Sequence, residues 1–299
     1  MSDFSNETRN SAWWSGDSRL AAQGRANEAV LTKQGKMERP DLSNVEAVQM
    51  GHVMEPVIGK LAQQKLQVEL HKIEEALTHP KEAWLRSHFD FAGTENGKTI
   101  LVEAKNYNAA TRSKFDAEAG LLPPADMAQL VHEATVFGVE TIYLAVLFGG
   151  QEFVLIRQEI TEDMKLKHIQ EMAVLWAHVQ AGTALPPETV DQAKALYPVS
   201  MESTRLASAS VEEAVRYLTA IKREIKALEE REDQFQTLVQ GYMEDKATLA
   251  SIDGNVLATW KSAKASMKFD AKLFESAMPD IHKQFVREMP GSRRFLLKG

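Results

Sequence analysis

Asp90, Glu103 and Lys105 are the residues whose types and spacing suggest chemistry. They fall in "HFDFAGTENGKTILVEAKN", which reads as two strands about a turn at "GTENG". Side chains alternate along a strand, so Ile100, Val102 and Ala104 share one face and Leu101, Glu103 and Lys105 the other. The hairpin brings Asp90 back beside Glu103. Two carboxylates crowded together repel, and removal from water raises their pKa values further. A divalent cation relieves both effects. Mg²⁺ suits such a place, because it takes oxygen ligands, keeps some of its water and needs only one or two carboxylates. Lys105 beside the ion could orient or deprotonate a water, and the set could attack a phosphodiester and stabilise its developing charge. The same i, i+2 spacing also fits a surface-facing ion pair, and spacing alone leaves both readings open.

The elements that must position these residues are partly legible. A helical region is expected from about Val45 to Leu77, kinked at Pro56, with Val53, Val57 and Leu61 recurring every four residues. After the hairpin, "LLPPADMAQLVHEATVFG" predicts a helix from Pro124 that Gly138 stops. "TIYLAVLF" predicts a buried strand, and Gly149-Gly150 turns it into "QEFVLIRQEI". Thr161 can cap a further helix that ends at Gly182.

"TALPPETVDQ" reads as linker with a helical stretch after it. Val211, Ala214, Leu218, Ile221, Ile225, Leu228, Phe235, Val239 and Tyr242 then follow a heptad seam that only Glu232 interrupts. Ser210 and Glu213 are expected to form its capping box. "TLASIDGNVLATWK" predicts a hairpin about Asp253-Gly254, and the tail a helix followed by a basic strand carrying Arg293 and Arg294.

Bulk composition narrows the classes. The chain has 299 residues, of which 44% are hydrophobic and 26% charged, enough for one large or two ordinary domains. No run approaches the roughly 18 apolar residues of a membrane span, and the start, "MSDFSNETRN", lacks a signal-peptide core. The expected location is therefore cytoplasmic, with no membrane partner. With no cysteine, disulfides, thiolate zinc sites and cysteine-held iron–sulfur clusters are excluded. A net charge of -7 argues against a broad basic coat for nucleic acid, though not against a local basic groove.

Asp90 with Glu103-Ala104-Lys105 resembles the core of the PD-(D/E)xK nucleases. "MGHVMEPVIGKL", with Gly51, Glu55 and Pro56, resembles the G-x-x-x-E-P helix of the lambda-type phage exonucleases, the YqaJ-like viral recombinase family. "DMAQLVHEATVFG" resembles that family's M-A-Q helix and places Gln129 in its functional position. The resemblance covers roughly residues 10 to 182. "SHFDF" stands where the family often has S-P-D-G, and Asp126 where many relatives carry an aromatic residue.

The resemblance implies an α/β (α+β) fold, a restriction-endonuclease-like core with a central mixed sheet flanked by helices; the C-terminal helical and hairpin extension lies outside the resemblance. The implied division is a nuclease domain over 1–182, a linker over 183–209 and the extension over 210–299. It implies a Mg²⁺-dependent DNA exonuclease, with Mn²⁺ as a substitute, that resects linear duplexes from 5′ ends and leaves 3′ single strands for an annealing protein. Asp90, Glu103 and the Ala104 carbonyl would bind the metal, and Lys105 would assist the attacking water. Glu55 and Gln129 complete the catalytic set. Ser18 and Arg19 (or Arg9) would hold a 5′-phosphate. Tyr107, Arg112 and Lys114, in "KNYNAATRSKFDAEAG", would contact DNA beside the cut. A closed homo-oligomer, a trimer by resemblance, would replace general affinity by enclosure. A PD-(D/E)xK endonuclease of structure-specific or restriction type, and a non-catalytic DNA-binding scaffold, are the alternatives.

Overall fold

The first fifty residues, unassigned from sequence, open with short helices and one strand: α1 (Asn6–Asn10), β1 (Trp13–Trp14), α2 (Ser15–Ala22) and α3 (Ala26–Lys33). α4 (Glu46–Leu66) follows, then β2 (Leu70–Lys72), β3 (Leu77–Thr78), β4 (Leu85–Ser87), β5 (Phe91–Glu95) and β6 (Lys98–Tyr107). A 3₁₀ turn over Ala109–Lys114 leads to α5 (Pro124–Phe137), β7 (Thr141–Phe148), β8 (Glu152–Glu159), α6 (Glu162–Ala181) and α7 (Val190–Leu196). This computed structural model describes residues 6–287 and 291–298, which divide into two units, Met1–Pro198 and Val199–Gly299. The first residues of the polar start lie outside the described ones.

The central sheet of the first unit is mixed, in the order β2-β5-β6-β7-β8, with β6 and β7 parallel and the other pairs antiparallel. β1, β4 and β3 form a smaller sheet. β7 is buried along its whole length, as its unbroken apolar run predicts. Leu101, Ile142, Leu144 and Val146 face Leu130, Val131 and Ala134 of α5, while Ile100, Val102, Tyr143 and Ala145 face Ile58 and Ala62 of α4. Helices thus cover both faces, in the α/β arrangement expected. α4 comes so close that a Cβ on Gly59 would stand 2.5 Å from the Phe91 ring. Glycine is what lets this helix lie on the sheet.

Local signals placed most of these elements. The β5–β6 hairpin turns at Asn96 and Gly97, both with positive φ, and Gly138 and Gly182 end α5 and α6 in the left-handed region. The Thr161 hydroxyl accepts from Met164 N at the start of α6. The helix expected to reach Leu77 instead ends at Leu66, where Gln67 is left-handed (φ 55°). The next residues leave it to add β2 to the sheet edge, and Gln63 Oε1 accepts from Leu70 N. Edge pairing with β5 outweighs the weak helical period there. Part of the expected linker also belongs to the first unit: Asn27 bonds the Pro186 carbonyl, Leu185 N and Gln192 Oε1.

The second unit holds α8 (Ala209–Met243), the hairpin β9 (Thr248–Ala250) and β10 (Val256–Thr259), and two short helices, α9 (Ala271–Ala277) and α10 (Pro279–Phe285). Ser208, not Ser210, caps α8 by accepting from Val211 N. Pro279 divides the expected single tail helix in two. Residues 291–298, with Arg293 and Arg294, form no strand.

Candidate active site

β6 is longer than β5, and the site lies where it outruns its neighbour. The last β5–β6 pair is Phe91 with Val102, whereas β6 stays paired to β7 as far as Tyr107 with Phe148. Asp90 stands just ahead of β5. Its carboxylate accepts from Ala104 N at 2.8 Å, in place of a strand partner. This fixes Asp90 against Glu103 at the open end of the sheet.

α5 supplies the other wall. Glu103 Oε1 accepts from Lys105 Nζ at 2.6 Å and from Gln129 Nε2 at 2.6 Å. Gln129 Nε2 also donates to Glu133 Oε1 at 2.8 Å, so both its amide hydrogens are used on carboxylates. Glu133 is buried and was missed from sequence. Its signal was present, because it lies one helical turn beyond Gln129 on the same face of α5. Arg19, from α2, ion-pairs with buried Asp126 and donates to Tyr107 Oη at 2.8 Å and to Gln129 Oε1 at 3.4 Å. Tyr107 Oη in turn donates to Asp126 at 2.6 Å. Asp126, where the resemblance leads to the expectation of an aromatic residue, is thus the partner of Arg19. Glu55 is set apart from this network in an ion pair with Lys72 at 2.8 Å, though its charge reaches Asp90.

Burial, then the charge of Glu103, pushes Asp90 up to about 8. The same two causes hold Glu133 well above the carboxylate range. Burial disfavours the Lys105 ammonium, but the adjacent Glu103 carboxylate outweighs it and raises the lysine. Lys105 is therefore an ammonium that donates, not a free base. The acidic cluster retains a proton at neutral pH unless a cation joins it.

A magnesium-type ion fits the donor set. No group of three or more His, Asp and Glu side chains among the described residues can hold a metal unaided. Asp90 and Glu103 are nevertheless two hard oxygen donors side by side, and the ionisation of Asp90 is suppressed by its burial and by the charge of Glu103. Asp90 Oδ1 and Glu103 Oε2 make no hydrogen bond among the described residues. One or two carboxylates with backbone oxygen and water suffice for Mg²⁺.

The residues expected to touch DNA separate. Arg19, Tyr107 and Lys114 line one cleft with Pro123 and Asp126. Lys114 is exposed, whereas the Tyr107 hydroxyl is engaged and its ring leans on Phe115 and Phe148. Arg112 donates to Glu152 at 2.6 Å and to the Phe115 carbonyl at 2.8 Å, which closes the loop after β6. Ser18 is corrected outright. It is 1% exposed and faces the interior, where Trp13 Nε1 donates to its hydroxyl at 3.1 Å.

Ser18 Oγ lies 2.9 Å from His132 Nδ1, and that nitrogen lies 3.1 Å from His168 Nε2. The Arg86 carbonyl, 3.0 Å from His132 Nε2, must accept, so Nε2 carries the proton and Nδ1 accepts. Burial, then His168, lowers His132 to about 3, and burial lowers His168 to about 4. Both rings are neutral in the fold and titrate near 6.5 when unfolded. Their contribution is therefore complete above pH 6.5 and is lost as pH falls towards 4 and then 3. The raised Asp90 acts oppositely, its contribution being lost as pH rises towards 8. The His132→Gln variant isolates the histidine part. Unfolding free energies from urea titrations between pH 6.5 and 4 should fall less steeply in it, by about 1.4 kcal/mol per pH unit. An unchanged slope would refute the neutral assignment.

Residues 20–140 match the family model described as the YqaJ-like viral recombinase domain. No curated protein matches the chain. Among solved structures, the chain is similar to an alkaline exonuclease from Laribacter hongkongensis, at 15% identity and a TM-score of 0.48, over 59% of this chain and 91% of that one. A phage-related exonuclease from Haemophilus somnus matches at 11% identity and a TM-score of 0.41, over 55% and 81%. A Holliday junction resolvase from Archaeoglobus fulgidus matches at 15% identity and a TM-score of 0.21, over 46% and 99%. Glu55, Asp90, Glu103, Lys105 and Gln129 all lie within the matched stretch.

Proposed function

We propose that the chain is a metal-dependent DNA exonuclease of the phage type, acting on linear duplexes from 5′ ends and leaving 3′ single strands for an annealing protein. The observation that carries this reading is the meeting of Asp90, Glu103, Lys105 and Gln129 at the open end of β6. Asp90, Glu103 and the Ala104 carbonyl would hold Mg²⁺ or Mn²⁺. When bound, the ion supplies positive charge to the phosphodiester and lowers the pKa of a water. The Lys105 ammonium orients the attacking water and stabilises charge on phosphate oxygen. Gln129 fixes the Glu103 carboxylate so that its second oxygen stays available. Arg19 and Lys114, along the cleft beside α5, contact the DNA backbone. Glu55 acts from α4, where Pro56 removes the helical donor of the His52 carbonyl.

The test uses linear duplexes labelled at either end, alongside a closed circle. Mg²⁺-dependent loss of the 5′ label with an intact circle is expected. Cutting of the circle would assign an endonuclease, and loss of the 3′ label first would reverse the polarity. Asp90→Asn and Glu103→Gln should each be inactive and bind Mn²⁺ at least about ten-fold more weakly, since ligand loss costs that much or more. Calorimetric titration reads this directly. Unchanged binding in both variants would place the metal elsewhere.

A further inference from the structure

We propose that α8 pairs antiparallel with α8 of a second copy of this chain, in the register that sets Ile225 against Leu228. This does not depend on the nuclease reading. α8 has 35 residues and runs about 52 Å. Most of its apolar seam is uncovered: Ile225 is 48% exposed, Leu228 59% and Phe235 63%, while Leu218 is half-buried. Among the described residues, β9, β10, α9 and α10 make at most slight contact with it. A heptad seam of this length is built to face another helix.

The charges choose the occupant and its direction. In a parallel pair, Glu224 would face Glu229 of the second copy, and Glu232 would stack on its own equivalent. Both contacts repel. Antiparallel, with Ile225 opposite Leu228, the seam layers become Val211 with Tyr242, Leu218 with Phe235, and Ala214 with Val239. Glu224 then flanks Arg231, and Lys222 flanks Glu229, each pair formed twice by symmetry. Glu232, the one interruption of the seam, falls opposite Ile221 and beside Lys222. The same register brings Tyr217 to Leu238, two exposed apolar residues outside the seam that otherwise have no partner in it. One register thus pairs every charge that flanks the seam and two of the three extra exposed apolar residues over nearly the full helix, leaving Val215 beside Gln236. The contact is isologous, as a two-fold pair requires.

The chain has no cysteine, so introduced thiols report cleanly. Leu218→Cys and Phe235→Cys variants of the full chain, mixed and oxidised, should give a disulfide-linked dimer, and neither variant alone should. Linkage of each variant alone would mean a parallel pair, and no linkage in the mixture would mean no pair; either overturns the proposal. Arg231→Glu should weaken self-association about ten-fold or more, because each like-charge contact is made twice. Adding Glu224→Arg should restore it, while either change leaving association unaltered would also overturn it. Light scattering should give a dimer or an even multiple of the chain mass, whereas a lone trimer or a monomer would refute the pairing.

Discussion

Lys105→Ala should reduce DNA cleavage by about a thousand-fold or more while leaving DNA affinity within a few-fold of wild type. The asymmetry follows from where the ammonium sits. It is held at 2.6 Å from Glu103 and is kept protonated by that carboxylate, so its charge is aimed into the site and not along the cleft. Charge that develops only in the transition state feels such a group far more than bound substrate does. A duplex, by contrast, is held by many phosphate contacts, of which one charge is a small part. The variant should fold normally, because Gln129 still donates to Glu103. Single-turnover digestion and a filter-binding titration give the two readouts. Turnover near wild type would remove Lys105, and with it the proposed site, from the chemistry.

Lys33→Met should destabilise the first unit by about 3–5 kcal/mol, the usual cost of breaking one side of a buried ion pair. The Lys33 side chain is fully buried, and its ammonium satisfies Asp17 at 2.6 Å, the Arg9 carbonyl at 2.9 Å and the Ala12 carbonyl at 2.5 Å. Burial lowers its pKa despite Asp17. Methionine matches the length but donates nothing, so Asp17 loses its counter-charge and keeps only Trp14 N, the Arg9 carbonyl keeps only Trp14 Nε1, and the Ala12 carbonyl loses its side-chain donor. Asp17 also accepts from Trp14 N and so starts α2, the helix that carries Arg19 into the cleft. The loss should therefore appear in urea unfolding and also as weaker DNA binding. A change below about 1 kcal/mol would mean that Asp17 finds water when the ammonium is removed.

Sequence by itself determined what is local. The Asn96-Gly97 and Gly149-Gly150 turns, the Thr161 cap and the stops at Gly138 and Gly182 are set by φ preferences and short-range hydrogen bonds, which neighbouring residues encode. Alternation along β6 put Glu103 and Lys105 on one face before any fold was known, and the seam of α8 was plain from its period. Tertiary structure decided the rest. Residues Leu70–Lys72 became an edge strand because β5 offered it unpaired backbone groups, which no helical period could register. Ser18 turned inward because Trp13 and two histidines, one of them from α6 at the far end of the unit, supplied its hydrogen bonds. Glu133 and Lys33 became buried charges only because packing removed their water. Desolvation depends on what other segments cover, and that information is spread over the whole chain.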